Sequence, residues 1–171
     1  YAVSIDEGGV VFSRSGNVSG KGFCVKKDIR FRDADSFSVV YSVKGVDDAD
    51  ALFGVEFNLI LPCCDGPACY YEFDSANNDI GLGSTGEIAA VRKITLVDSH
   101  RLVSVTIETD IDARLWRFPV HTVSLSEAGF EKIYQGSCLL FLFPINGHDG
   151  SDQSLNVCFD VRLGGLPERR V

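Results

Sequence analysis

The chain has 171 residues, 45% of them apolar and 23% charged, and a net charge of −8. A chain of this length suits one domain that buries roughly 70% of its unfolded surface, so its stability requires neither disulfides nor a structural metal. The acidic balance repels phosphate backbones and argues against nucleic acid, it is neutral toward an uncharged partner, and no apolar run approaches the ~20 residues of a membrane helix.

In chain order, period-2 alternation dominates. Phe37, Val39, Tyr41 and Val43 share one face of a strand, with Ser38, Ser42 and Lys44 on the other face or at its edge. Phe53, Val55, Phe57, Leu59 and Leu61 form a second apolar face, opposed by Glu56 and Asn58. Val103, Val105 and Ile107 alternate with Ser104, Thr106 and Glu108. The run Cys138 to Phe143 is apolar throughout, which predicts a central strand covered on both faces. Leu155, Val157, Phe159, Val161 and Leu163 complete the set. Turn chemistry at Gly8-Gly9, Ser15-Gly16-Asn17, Asp47-Asp48, Asp65-Gly66-Pro67, Asn77-Asn78-Asp79 and Gly147 to Gly150 separates the strands, and Asp74 to Gly86 reads as a surface loop. No sustained helical period is present. Ser124 to Lys132 has room for one helical turn, because Ser124-Leu125-Ser126-Glu127 matches a capping box and Gly129 would end it. The expected fold is an all-β, antiparallel β-sandwich in one domain over 1–171.

The sequence opens on Tyr1 without a basic start and an apolar stretch behind it. It reads as a piece of a longer protein, with the polar end from Leu166 to Val171 as a natural C-terminus and the cytoplasm as its expected location. Cys138 and Cys158 lie in strand patterns and are expected to be reduced, acting as small hydrophobes. Cys63, Cys64 and Cys69 sit in one turn, yet the paired Cys-x-x-Cys elements of a zinc site are missing, so no metal is expected. Asn17-Val18-Ser19 is a glycosylation acceptor pattern that matters only in a eukaryotic secretory setting.

Candidate chemistry is sparse. There is no Gly-x-Ser-x-Gly elbow, and His100, His121 and His148 lie in different segments. Glu127 and Glu131 would share a face only on a helix, and a glycosidase also needs two carboxyl groups about 5–9 Å apart across a bond in a deep site. No catalytic residue and no cofactor are therefore expected. Trp116 is the only tryptophan, and an aromatic face can stack on a sugar ring. Glu56 and Asn58 make either a solvated face or a polar contact with another domain.

Two blocks carry a resemblance. Phe53-Gly54-Val55-Glu56-Phe57-Asn58 is the first. Trp116, Pro119, Thr122-Val123-Ser124, Ser126-Glu127, Gly129-Phe130-Glu131 and Tyr134-Gln135-Gly136-Ser137 form the second. Together they resemble the C-terminal β-sandwich of glycoside hydrolase family 57 enzymes, the α-amylase and 4-α-glucanotransferase group, over roughly Cys24 to Val161. The resemblance implies a supersandwich similar to the galactose mutarotase superfamily. It also implies a preceding barrel that holds the nucleophile and the acid/base carboxylate, so no catalytic role is carried onto this chain. The sequence departs from the family pattern at His121, Leu125 and Ala128, where relatives often carry Glu, Gln and Gly. Glu56, Asn58, Trp116, His121, Glu127, Glu131 and Gln135 are the candidate carbohydrate-contact or domain-interface residues. The expected partners are the catalytic domain of the parent enzyme and an α-glucan, with no nucleic acid and no membrane. An independent α-glucan-binding module is the alternative, and a thiol or metal role for Cys63, Cys64 and Cys69 is a third reading. Docking on a barrel further predicts an apolar or mixed patch of several hundred Å² near Trp116 or Glu56.

Overall fold

In the computed structural model the structure describes residues 1–18, 20–46, 50–61, 68–74, 76–127, 129–145 and 154–167. They form β1 (Ala2–Asp6), β2 (Gly9–Val18), β3 (Lys21–Phe31), β4 (Ser36–Lys44), β5 (Leu52–Leu59), β6 (Cys69–Phe73), β7 (Ala76–Gly81), β8 (Gly86–Asp98), β9 (Val103–Ser126), β10 (Gly129–Pro144) and β11 (Ser154–Gly164), every pairing antiparallel and no helix among them. The fold class is therefore the one expected.

Two strands belong to both layers. β9 runs for 24 residues. Its first part pairs with β11 through Thr109, and from Arg114 onward it pairs with β10 instead. β8 follows it across, with register shifts between Ile88, Val91 and Lys93. Strands that switch layers do so at such bulges, where the chain bends. The first layer runs β1-β2-β3-β4-β11-β9-β8-β6-β7, and β10 with β5 extends the second from the far half of β9.

Apolar alternation fills the space between the layers. Val39 and Val43 of β4, Leu155 to Val161 of β11, Val55 of β5 and Leu139, Phe141 and Phe143 of β10 join one continuous core. Phe159 is its centre. Its ring lies 5.2 Å from Phe57, 5.2 Å from Phe141, 5.8 Å from Phe143 and 6.1 Å from Tyr41. Tyr41 in turn meets Phe53 at 5.4 Å. Thus β11 faces β10 and β4 faces β5. The run Cys138 to Phe143 is the central strand of the second layer, between β5 and β9, as expected.

The β8–β9 turn is held by one buried carboxylate. Asp98 is fully buried and accepts hydrogen bonds from the backbone amides of His100 (3.1 Å) and Arg101 (3.0 Å) and from the Arg101 guanidinium (3.1 Å). His100 lies in this turn, as its neighbours predicted. Burial opposes ionisation of Asp98, but the bonds from Arg101 and His100 outweigh it and hold the carboxyl below the usual range.

Several turn signals were overridden by pairing. Gly16, in the Ser15-Gly16-Asn17 signal, lies inside β2 opposite Phe23, whose ring would be 2.7 Å from any added Cβ. The glycine serves ring packing there and not a turn. Asn77-Asn78-Asp79 lies inside β7, and Leu82, in the stretch read as a loop, is fully buried. Ser124 to Lys132 is a hairpin and not a helical turn: Leu125 pairs with Phe130 and Ser124 with Glu131. A strand partner thus supplied the hydrogen bonds that the capping box would have made. Asp47-Asp48, Asp65-Gly66-Pro67, Gly147 to Gly150, Cys63 and Cys64 lie outside the described residues. Cys24, Cys138 and Cys158 are free thiols, as expected for the last two, whereas Cys69 is disulfide-bonded.

Candidate functional site

Opposite residues of an antiparallel pair share a face. One row across the second layer therefore presents Glu56, Leu140, Trp116 and Glu87 together, and the next presents Asn58, Cys138 and Phe118. This is the face turned away from the core. Trp116 is 42% exposed and Phe118 38% exposed, and Val120 continues the stripe. Asn58 Nδ2 donates to Glu56 Oε1 at 2.5 Å, and Arg114 pairs with Glu87 at 3.5 Å along the rim. The patch is apolar in the middle and polar at its margins, with Trp116 at one side and Glu56 at the other. Phe118 and Val120 were not singled out from sequence, although Trp116-x-Phe118-x-Val120 carries the period-2 signal that would have found them.

Arg117 is the last β9 residue paired with β8, and past Pro119 and Ser137, where β5 also ends its pairing with β10, β9 and β10 continue as a two-stranded ribbon. Pro119 fits just past Arg117 because β9 has become an edge strand there, which tolerates a missing donor. The ribbon exposes Val123, Leu125, Phe130 and Ile133, with Phe130 81% exposed. His121 lies opposite Tyr134, ring centroids 6.3 Å apart. Glu127 is at the tip, and Glu131 faces Ser124 across the ribbon. Gln135 occupies the bulge between Tyr134 and Gly136 and donates to Thr122 Oγ1 at 3.2 Å. The candidate residues thus divide between two places: Glu56, Asn58 and Trp116 on the sheet face, and His121, Glu127, Glu131 and Gln135 on the arm. The arm ends in a single hairpin tip.

Gly136 lies within β10, beside the end of β5. A Cβ there would sit 2.7 Å from the Leu59 carbonyl oxygen, so the position permits close approach of β10 to β5. Gly136→Ala is expected to cost about 1–3 kcal/mol, read from chemical denaturation. An unchanged midpoint would show that β5 yields freely.

The polar contacts that bind the arm to the body come from other residues. Arg117 is buried beneath the patch, lies 5.3 Å from the centre of the Tyr71 ring and donates to the Ser84 carbonyl at 3.1 Å and to its hydroxyl. Burial pulls its guanidinium below the usual arginine range, and burial pushes the Tyr71 phenol up to about 12. Tyr134 and Ser137 share a 2.7 Å hydroxyl bond, and Ser137 and Tyr71 both donate to the Leu82 carbonyl at 3.4 Å. No sequence signal pointed to Arg117, because arginine in a strand is ordinarily exposed.

Comparison with known proteins decides the family. Residues 1–157 match the family described as alpha-amylase/4-alpha-glucanotransferase, C-terminal. The chain belongs to this family. It is 34% identical over 148 residues to a 4-alpha-glucanotransferase of Thermococcus kodakarensis, covering 86% of this chain and 19% of that protein. It is 34% identical over 139 residues to an alpha-amylase of Pyrococcus abyssi, covering 81% of this chain and 18% of the relative. The crystal structure of 4-alpha-glucanotransferase from Thermococcus litoralis superposes with a TM-score of 0.68 at 30% identity, over 97% of this chain and 22% of that one. This member of the alpha-amylase/4-alpha-glucanotransferase C-terminal family therefore spans about a fifth of the length of the relatives it matches.

Proposed function

We propose that this chain is a non-catalytic accessory domain of an α-glucan-processing enzyme and that it docks on the catalytic domain through the Trp116–Phe118–Val120 stripe. The exposed apolar stripe with a polar rim carries the reading, since water-facing apolar clusters of this kind ordinarily mark a contact surface. The β9–β10 arm carries Val120 of the stripe past the end of the body, while its Leu125 and Phe130 are exposed on the opposite face, the one that bears Leu115 and Arg117 further back. Family membership supports the assignment to α-glucan chemistry.

Phe118→Asp tests the reading. In the parent enzyme it is expected to lower Tm by several degrees and to open the domain boundary to proteolysis. In the 171-residue chain it is expected to change Tm little, because the side chain faces water there. Equal effects in both proteins, or none in the parent, would remove the docking role. The binding-module alternative predicts instead that maltooligosaccharide changes Trp116 fluorescence in the chain alone. A flat titration at millimolar sugar, roughly −4 kcal/mol at the limit, favours docking. Starch breakdown by the chain alone would overturn its non-catalytic assignment.

A further inference from the structure

The two layers do not match in width. On the side where they part, the first continues from β11 through β4, β3, β2 and β1, whereas the second has β10 and β5 among the described residues. Ring contacts set β11 over β10 and β4 over β5. Val25 and Ile29 of β3 still pack against the core, whereas β2 and β1 project beyond β5 with no described strand opposite them.

Their sequence is nevertheless patterned for a core. Ile5 pairs with Val10, Val10 with Ile29 and Ile29 with the buried Val39, so all share the core-side face. Val3, Phe12, Lys27 and Tyr41 make the adjacent row. The opposite face of the same strands carries the Asp6–Arg30–Asp28 ion pairs and faces water. Alternation this regular specifies which side is to be covered. Yet Val3 is 54% exposed and Ile5 80% exposed on the apolar side.

Beside this overhang lies a free edge. β5 pairs with β10 over Leu52 to Leu59 without a bulge, and its other side has no partner among the described residues. Its sequence, Leu-Phe-Gly-Val-Glu-Phe-Asn-Leu, holds neither proline nor lysine to blunt that edge. Two strands at ~4.8 Å spacing give roughly 10 Å of uncovered sheet, which is room for about two more strands above it. A helix would cover the apolar face but would leave the β5 backbone unpaired.

We infer that the second layer is completed by β-strands from polypeptide outside these 171 residues, which extend it from β5 and cover Val3, Ile5, Val10 and Phe12. The inference rests on the reading that the working enzyme is longer. The matched relatives place about four-fifths of their length outside the aligned part, and the family description is C-terminal, so the added strands come from the segment preceding Tyr1.

Hydrogen exchange on the 171-residue chain and on the parent enzyme tests this. The β5 amides that do not bond to β10 are expected to exchange freely in the chain alone and at least about 100-fold more slowly in the parent. Ile5→Asp is expected to lower the Tm of the parent by several degrees and to leave that of the short chain unchanged. Equally fast β5 exchange in both proteins overturns the inference. So does protection in the short chain that grows with its concentration and is absent from the parent, because that assigns the edge to a second copy. β5 protection in the parent together with a silent Phe118→Asp would retain this inference and discard the docking face, and the converse pattern would do the reverse.

Discussion

Phe159→Ala is expected to destabilise the protein by about 3–5 kcal/mol, measured by urea unfolding at neutral pH. The ring is fully buried and meets Tyr41, Phe57, Phe141 and Phe143 within the distances given above, so its removal strips contacts from both layers at once. The surrounding strands are fixed by their ladders and cannot close the void, which places the cost toward the upper part of the range. Leu125→Ala is the matched control. That side chain lies in water on the arm, and its removal is expected to change stability by less than about 0.5 kcal/mol. A Phe159→Ala loss no larger than the control would mean that the layers are held by their strand crossovers and not by the core between them.

Asp98→Ala is the second large effect, at roughly 2–4 kcal/mol. The substitution leaves the amides of His100 and Arg101 without their acceptor in the turn that joins β8 to β9. The effect has a sign in pH. The folded-state pKa of Asp98 is depressed, so its contribution is complete above the unfolded carboxylate value of about 3.9 and fades as pH falls through the lower folded value. The gap between wild type and variant is therefore expected to be constant from neutral pH down to about 5 and to narrow below about 4. A gap that instead widened in acid would mean that the carboxyl serves the turn in its protonated form.

Half-buried strands were legible because burial on one side writes a period of two. β4, β5, β11 and the first part of β9 follow the alternation of Phe37 to Val43, Phe53 to Leu59, Leu155 to Leu163 and Val103 to Ile107. β8 was not legible, for a physical reason. Its register shifts move the inward positions to Ile88, Val91, Ile94 and Leu96, so the spacing changes along the strand and no single period survives. β7 and the end of β2 were hidden by Asn and Gly, whose turn preference yields to a strand partner when one is available. The hairpin at Ser124 to Lys132 is a similar case, where local capping chemistry gave way to a cross-strand neighbour. At the candidate site, alternation put Glu56 and Asn58 on the polar side of their strand, but Trp116 joins them only because β10 pairs with both β5 and β9, which alternation does not reveal. The separation of His121, Glu127, Glu131 and Gln135 onto an arm was not legible either, because it depends on where β8 stops pairing with β9. The burial of Arg117 against Tyr71 and Ser84 was invisible for the same reason: its neighbours lie more than thirty residues away in the chain.

The placement of β11 bears on how the protein is made. It is wedged between β4 and β9, so Val43 meets Leu155 across most of the chain and Ile107 meets Val161 across about a third of it. Until Ser154–Gly164 has left the ribosome, the early meander of β1 to β4 and the later β8–β9 pair have no common ladder. Each then presents an unpaired inner edge to its surroundings. Such distant pairing folds slowly and prolongs the interval in which nascent edges can capture one another. Synthesis in the presence of chaperones that shield nascent strands should accordingly raise the soluble yield more than any improvement of the finished core.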